Sequence, residues 1–179
     1  MNGVSHFRLM SKYNSRMNNQ VYTAALALPS DALHQDKGAF FKSINGTLNH
    51  ILVGDILWFT RFVAHSPNYQ SLRELSSIAT PNTLDEVLYE DTQQLFEVRQ
   101  KVDRLIERWL QEELTEDDLQ RNLVYKTTKG IRGCRVFAAV LSHVFNHQTH
   151  HRGQVSTLLF QCGIDVGVTD FLIDIPESE

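Results

Sequence analysis

Apolar residues recur every three or four positions in four long stretches of the chain, which is the period of one face of an α-helix. These stretches cover residues 5–28, 39–64, 83–113 and 135–161. The second stretch is apolar on more than one side, as expected of a helix that packs against several neighbours. Because little strand-forming sequence lies between the stretches, the pattern predicts an all-α protein built as a four-helix bundle.

Local signals indicate where these predicted helices begin and end. Pro29 opposes continuation of the first helix, and Ser30 is placed to cap a short turn after it. Thr83 and Glu86 have the spacing of a capping box, which places the start of the third helix at Thr83. Gly163 is well placed to end the fourth helix.

The connecting segments are predicted to be loops, with one exception. Residues 65–82 are a loop by composition, whereas residues 122–128 and 131–136 carry β-prone side chains on either side of a Lys-Gly pair. These two runs predict a small hairpin before the last helix. Apolar residues in the tail, residues 165–179, are expected to pack over the bundle. Charged residues that lie off the apolar stripe of the third helix predict a solvated face.

The fourth predicted helix contains the most informative stretch, residues 143–154, which holds four of the chain's eight histidines. One face of this helix passes from apolar to polar and back to apolar. Its members are Val136, Val140, His143, His147, His151, Gln154 and Leu158. A helix that buries the apolar ends of this face carries the imidazoles inward as well, and a buried polar group without a partner costs about 1–3 kcal/mol. A metal ion is a partner that suits imidazoles one helical turn apart.

Two histidine pairs have the i, i+4 spacing of such a site, His143/His147 and His147/His151, and the spacing does not decide between them. A helical pair supplies two ligands, whereas a tightly bound divalent ion usually takes three or more. His50, a polar residue in the apolar second helix, is the candidate third ligand. The alternative is that these histidines are core residues bonded to backbone carbonyls, or solvated groups near a helix end.

Asp55 is a carboxylate on the inward face of the second helix. It is expected to orient a ligand histidine, to bind the metal directly or to pair with an arginine. The chain has no Glu-x-x-His of di-iron bundles, no His-Glu-x-x-His of zinc proteases and no phosphate-binding glycine loop. A site rich in histidine and poor in carboxylate suits zinc, nickel, copper or iron better than magnesium or calcium.

The composition of the chain indicates its domain number, its location and the partners that are disfavoured. The chain has 179 residues, 42% hydrophobic and 21% charged, which predicts a single domain over residues 1–179. Its net charge of −4 disfavours a nucleic-acid partner. No apolar run reaches the roughly 20 residues of a membrane span, and the N-terminal residues do not resemble a signal peptide. Cys134 and Cys162 are interpreted as reduced thiols, so the expected location is the cytoplasm.

Two stretches resemble the motifs of a known family, the DinB/YfiT-like family. Residues 146–154 read Asn-His-Gln-Thr-His-His-Arg-Gly-Gln, and residues 48–55, followed by Trp58, read Leu-Asn-His-Ile-Leu-Val-Gly-Asp. The resemblance covers most of the chain, including the helix order and an insert before the last helix. It implies an up-down-down-up four-helix bundle, often dimeric, with a metal held by three histidines. The ligands that it implies are His50, His147 and His151.

The resemblance also implies a function. Relatives of this fold include transferases and isomerases that use low-molecular-weight thiols, and family members are described as metal-dependent hydrolases. A three-histidine site leaves open positions for water or substrate. We therefore expect a metal-dependent enzyme, either a hydrolase or a thiol transferase, that acts on a small molecule. The expected metal is zinc or nickel, with iron, copper or manganese as alternatives.

The residues that would move protons or position substrate are not decided by the sequence. The candidates are Asp55, His143, His150 and Gln154. Arg152 lies about 140° round the helix from His147, so we expect it to serve structure or an interface. The competing hypothesis is a non-catalytic metal-binding or dimerising protein, whose site is a ligand sensor or a vestige. A metal that only holds the fold together is the third alternative.

Overall fold

The computed structural model describes residues 2–177, which fold into α-helices, one small antiparallel sheet and three short 3₁₀ helices, Val63–His65, Glu74–Ser77 and Phe171–Asp174. In chain order the helices are α1 (Gly3–Ala25), α2 (Ser30–His34), α3 (Ile44–Phe62), α4 (Gln70–Arg73), α5 (Thr92–Glu112), α6 (Glu116–Gln120) and α7 (Phe137–Gln161). The strands are β1 (Asn122–Lys126) and β2 (Arg132–Val136). They form the predicted hairpin before the last helix, with Tyr125 opposite Gly133.

Side-chain caps begin three of the long helices. Oxygen atoms of Asn2, Ser43 and Asp91 accept hydrogen bonds from the backbone N–H three residues further on, at 2.8, 3.0 and 2.7 Å. Each such cap is worth about 1 kcal/mol, because it satisfies a donor that the first helical turn leaves without a partner. The short helix α6 begins with a complete capping box between Thr115 and Asp118.

The four long helices pack against one another around an apolar core. Helix α1 contacts α5 and α7, while α3 contacts α7 and α5. Fully buried rings fill the region around the C-terminal end of α3: Phe59, Phe62, Tyr69, Trp109 and Phe137. Rings of this size remove a large apolar area from water, so the core supplies the main driving force for folding.

The third long helix begins nine residues later than predicted. Helix α5 starts at Thr92, and the segment from residue 78 to residue 91 has no regular structure. Glu86 does reach back to the backbone N–H of Asn82, at 2.6 Å, as a capping residue would. Asn49 of α3 overrides this local signal, because its Oδ1 accepts from the N–H groups of Leu88 and Tyr89 at 2.9 and 3.0 Å. The capping-box prediction was therefore wrong about where α5 starts.

Other boundaries also differ from the predictions. Helix α3 begins at Ile44 rather than residue 39, because residues 39–42 form a tight turn in which Lys42 has a φ of 65°. The predicted loop at residues 65–82 contains α4, and α7 begins only after β2 ends. Within residues 2–177, no helix combines the length and the apolar character needed to cross a membrane.

Candidate metal centre

Three histidines from two helices meet at one point of the structure. His50 comes from the middle of α3, and His147 and His151 lie one turn apart on α7. The Nε2 atom of His50 lies 3.0 Å from Nε2 of His147 and 3.2 Å from Nε2 of His151. The helical periodicity and the resemblance thus predicted the residues that come together, and these three could hold a metal ion.

The orientation of His50 is fixed by the irregular segment before α5. Its Nδ1 lies 2.8 Å from the backbone carbonyl oxygen of Leu84. A carbonyl oxygen only accepts hydrogen bonds, so Nδ1 carries the proton and donates it. In the neutral imidazole the Nε2 atom then presents a lone pair toward the other two histidines. Asn49, the residue before His50, holds this same segment through Leu88 and Tyr89.

His151 is oriented in the same manner by its own helix. Its Nδ1 lies 2.8 Å from Oε1 of Gln154, three residues further on. The amide oxygen accepts, so Nδ1 of His151 donates and its Nε2 also presents a lone pair. The Nδ1 atoms of His50 and His151 are thus both engaged, and two lone pairs face each other across 3.2 Å. Such an arrangement is repulsive unless a cation lies between the nitrogens.

His147 fits between the two helices because of Gly54. A Cβ atom on Gly54 would lie 2.9 Å from Cε1 and 3.4 Å from Nδ1 of His147. Carbon atoms in contact are normally about 3.5–4.0 Å apart. A side chain at position 54 would therefore push the His147 ring out of its place.

All three imidazoles are kept in the neutral form that a metal requires. Burial and the neighbouring imidazoles of His151 and His50 lower the pKa of His147 to about 3. Burial also lowers the pKa of His50 and of His151, although the contacts with Leu84 and Gln154 oppose this effect. Metal binding displaces protons from histidine, so neutral imidazoles are ready to act as ligands.

The separation of the nitrogens agrees with a shared ion. Two nitrogens that each lie about 2.0–2.1 Å from one metal are about 2.8–3.4 Å apart when the angle between them is about 90–110°. The observed separations from Nε2 of His50, 3.0 and 3.2 Å, fall in this range. The ring of Phe41 stacks on His50 with a centroid distance of 3.8 Å and covers one side of the cluster.

His50 and His147 of the histidine cluster line a cleft of about 310 Å³. Its walls come from α3, α7 and the hairpin, and the residues that line it include Trp58, Arg61, Tyr125 and His143. The His143 ring lies edge-on to the Trp58 ring, with a centroid distance of 5.6 Å. The centroids of the His143 and His147 rings are 6.1 Å apart. A cleft of this size beside three ligands leaves room for water or a small molecule.

The remaining predicted site residues take different places. Asp55 forms a buried ion pair with Arg99, which is one of the three roles that the sequence allowed. Burial raises the pKa of Asp55 to about 6, and the guanidinium of Arg99 opposes the rise. His150 is exposed, with its Nε2 3.3 Å from Nε2 of Gln154.

A buried polar network lies directly behind the histidine cluster. Gln148 of α7 donates from Nε2 to Oδ2 of Asp55 on α3, at 2.7 Å. Arg99 of α5 pairs with both Asp55 and Asp103, and its Nη2 lies 2.8 Å from Oδ1 of Asp103. The predicted solvated face of the third helix is therefore wrong for Arg99 and Asp103, which are buried. These contacts tie α3 and α7 together at the level where the three histidines meet.

Arg152 belongs to the same network and does not contact the cleft. Its guanidinium donates to side-chain oxygens of Asn14, Asn18 and Gln148, and it lies over the ring of Tyr13. Arg152 was expected to serve structure or an interface, and these contacts agree with the structural role. The partners of Arg152 on α1, Asn14 and Asn18, were not predicted, because isolated polar residues within a helix do not indicate which residue they will contact.

Several contributors to the cluster were not predicted. Gly54 carries the clearest signal in hindsight, since glycine inside an apolar helix often marks a close approach of another group. Nothing in the sequence indicates the role of the Leu84 carbonyl, because every residue has a backbone carbonyl oxygen.

Comparison with known proteins identifies the family of this chain. The model of the DinB family matches residues 2–178. The protein named Protein DinB of Bacillus subtilis (strain 168) is 28% identical over 163 residues, which cover 89% of this chain and 88% of that protein. No solved structure matches the chain. Because the family model spans almost the whole length, including both histidine motifs, the chain belongs to the DinB family.

Proposed function

We propose that this protein is a metal-dependent enzyme whose His50, His147 and His151 hold one divalent transition metal ion. The observation that supports the metal most strongly is the 3.2 Å approach of Nε2 of His50 to Nε2 of His151. Their Nδ1 atoms are committed to Leu84 and Gln154. A hydrogen-bond network would need a proton between these two Nε2 atoms, whereas a cation explains both orientations.

The ion proposed here is zinc or nickel, with iron, copper or manganese as alternatives. Neutral imidazole is a ligand for all of these metals and suits magnesium and calcium poorly. When bound, such an ion lowers the pKa of a water or thiol, so that a nucleophile exists near neutral pH. Hydrolysis and transfer of a low-molecular-weight thiol are the two reaction classes that this chemistry favours.

Other residues near the cluster would orient the ligands and transfer protons. Gln154 holds His151 in its ligating tautomer, and Leu84 does the same for His50. His143 lines the cleft and is placed to exchange a proton with a bound molecule. Asp55 does not contact the metal or the substrate, because its carboxylate is paired with Arg99 and accepts a hydrogen bond from Gln148. Through Gln148 it holds α7 in place. His150 lies outside the cluster and is assigned no step.

The arrangement of the helices is also part of the proposal. We propose a single domain over residues 1–179, built as an up-down-down-up bundle of α1, α3, α5 and α7. The long connection between α3 and α5, residues 63–91, supports this topology, because parallel neighbours need a crossover. A homodimer in the cytoplasm is proposed as the working form. Phe160 and Leu172, which are 73% and 75% exposed, are apolar side chains available to such an interface. Light scattering tests the dimer.

Turnover tests the enzymatic proposal against a non-catalytic one. Wild-type protein, zinc-loaded and metal-free, would be screened with esters, amides and thiol conjugates beside His50→Ala. The matched control is His6→Ala, which removes an exposed imidazole outside the cluster. We expect activity that requires metal, is lost in His50→Ala and is retained in His6→Ala. A metal-bound wild type without turnover on any substrate class would favour a ligand sensor or a vestigial site. Unfolding on chelation would instead favour a structural metal.

A further inference from the structure

The cleft beside the histidine cluster is lined by one permanently charged side chain, an arginine, although the protein carries a net charge of −4. Its walls include Arg61 of α3. A second hollow of about 280 Å³ continues from it, shares Trp58, Tyr125 and His143, and adds Arg135. Among the residues that line the two hollows, none is an aspartate or a glutamate.

Arg61 differs from the other arginines that lie inside the protein. Arg99 and Arg152 are buried, and both donate to side-chain oxygens. Arg61 is half-buried, yet its guanidinium forms no hydrogen bond or ion pair with any group of residues 2–177. Burial lowers the pKa of Arg61, and the hydroxyl of Tyr125 only partly opposes this. The nitrogens of Arg61 are not among the fully buried polar atoms, so its N–H donors are accessible to an acceptor that enters the cleft.

The position of Arg61 is held by aromatic rings rather than by an anion. Its Cζ atom lies 4.7 Å from the centroid of the Trp58 ring, which is the geometry of a cation–π contact. Trp58 in turn packs edge-on against Tyr125 at 5.1 Å. Tyr125 lies across Gly133 of the opposite strand, where any Cβ atom would be 2.5 Å from the Tyr125 ring. The hairpin and α3 thus present the guanidinium to the cleft in a defined orientation.

We propose that Arg61 binds an anionic head group, in the first place a carboxylate, of the small molecule whose reacting end lies at the three histidines. This inference rests on the proposed function and names the class of its substrate. The planar guanidinium donates two parallel hydrogen bonds to a carboxylate, a geometry that a lysine or a neutral amide does not provide.

The spacing along α3 gives the shape of that molecule. His50 and Arg61 are eleven residues apart, which separates their backbone positions by about 16 Å along the helix and brings them to nearly the same face. The guanidinium lies over Trp58, three residues nearer to His50, so the span that a bound molecule must cover is shorter. The wall between His50 and Arg61 is formed by Leu57 and Trp58, with Tyr125 opposite. The molecule is therefore extended, with an apolar or aromatic middle and an anion at the far end from the histidines.

A series of hydroxamates tests this inference on the zinc-loaded protein. Each hydroxamate binds the metal at one end and carries, after an alkyl chain of increasing length, either a carboxylate or the isosteric carboxamide. Hydrogen bonds between two charged groups are stronger than those to a neutral amide, so at the length that spans the cleft the carboxylate should bind about tenfold more tightly. Arg61→Gln should abolish this preference and leave the carboxamide affinity unchanged.

The matched control is Arg73→Gln, which removes an exposed arginine outside the cleft and should leave the preference intact. Equal affinity of carboxylate and carboxamide at every length would overturn the proposal, as would a preference that survives Arg61→Gln. Replacing the carboxylate with a phosphonate decides between the two oxyanions that arginine binds well. Tighter binding of the phosphonate would identify a phosphate-bearing substrate and overturn the preference for carboxylate.

A second measurement separates this inference from the metal itself. In protein as purified, the Nε–H resonance of Arg61 would be followed by NMR during titration with hexanoate, with Arg73 as the internal reference. A saturable shift confined to Arg61 supports the anion site even if no metal is bound, in which case only the proposed function fails. A resonance of Arg61 that moves no more than that of Arg73 overturns the anion site, whatever the metal content.

Discussion

Gly54→Ala is the substitution that separates metal binding most cleanly from folding. The new methyl group would lie 2.9 Å from Cε1 of His147. Contact between carbon atoms requires about 3.5–4.0 Å, so the imidazole must move by about 0.6–1.1 Å. Metal ligands must be held within about 0.5 Å of their productive positions. The substitution therefore displaces one ligand without changing the ligand itself.

The same substitution has an opposite effect on the helix. Alanine in a helix interior is about 1 kcal/mol more favourable than glycine, which in a protein of this size corresponds to a rise of about 2–4 °C in the melting temperature. Crowding against His147 offsets this gain at position 54. We therefore expect the metal-free Gly54→Ala protein to melt within a few degrees of wild type, while its zinc affinity falls by about 10–100-fold or more.

Gly153→Ala is the matched control, because a Cβ atom at position 153 of α7 would meet nothing within 4 Å. Gly153→Ala should raise the melting temperature by the full increase of about 2–4 °C and leave zinc affinity unchanged. Zinc affinity would be measured by competition with a chromophoric chelator, and stability by thermal unfolding of the metal-free proteins. If Gly54→Ala binds zinc as tightly as wild type, the proposed placement of His147 is refuted.

Three further predictions concern the surroundings of the histidine cluster. Asp55→Asn removes one partner of a buried ion pair and leaves Arg99 with Asp103 alone. The free energy of unfolding, measured in urea, should therefore fall by about 3 kcal/mol, and a loss below about 1 kcal/mol would contradict the proposed network. Gln154→Ala removes the hydrogen-bond acceptor of the His151 ring. It should weaken zinc binding by about 10–100-fold with little change in melting temperature. An unchanged zinc affinity would show that Gln154 does not orient His151. Burial lowers the pKa of all three cluster imidazoles from the usual 6.5, that of His147 to about 3, so protons compete with zinc only at more acid pH. Zinc affinity should therefore change little between about pH 8 and pH 7 and fall steeply toward about pH 3; an affinity unchanged at about pH 3 would exclude histidine ligation.

The sequence predicted the existence of the long helices, although not the starts of α3 and α5, because their apolar periodicity reflects the same burial that the structure shows. It predicted the neighbouring histidines on α7 for the same reason, since residues four apart share a helical face. The spacing left two pairs open, and the choice of His147/His151 with His50 came from the resemblance. The structure brings those three together, whereas His143 lines the cleft beside them.

What the sequence did not predict depends on contacts between distant segments. The local capping signal at Thr83 is real, but Asn49 makes competing hydrogen bonds to Leu88 and Tyr89 across about forty positions of sequence. No periodicity encodes such a contact. The charges of Arg99 and Asp103 were misread for the same reason, because a buried ion-pair network and a solvated helix face have similar compositions.

The central claim is that His50, His147 and His151 hold one metal ion, and the most direct test is metal content by mass spectrometry. Untagged protein would be purified without chelator, and wild type compared with the alanine variant of each histidine and with His6→Ala. We expect one transition metal ion per chain in wild type and in His6→Ala, and its loss in each of the three cluster variants. Wild type that is metal-free and also takes up no added zinc, or cluster variants that keep their metal, would contradict the claim.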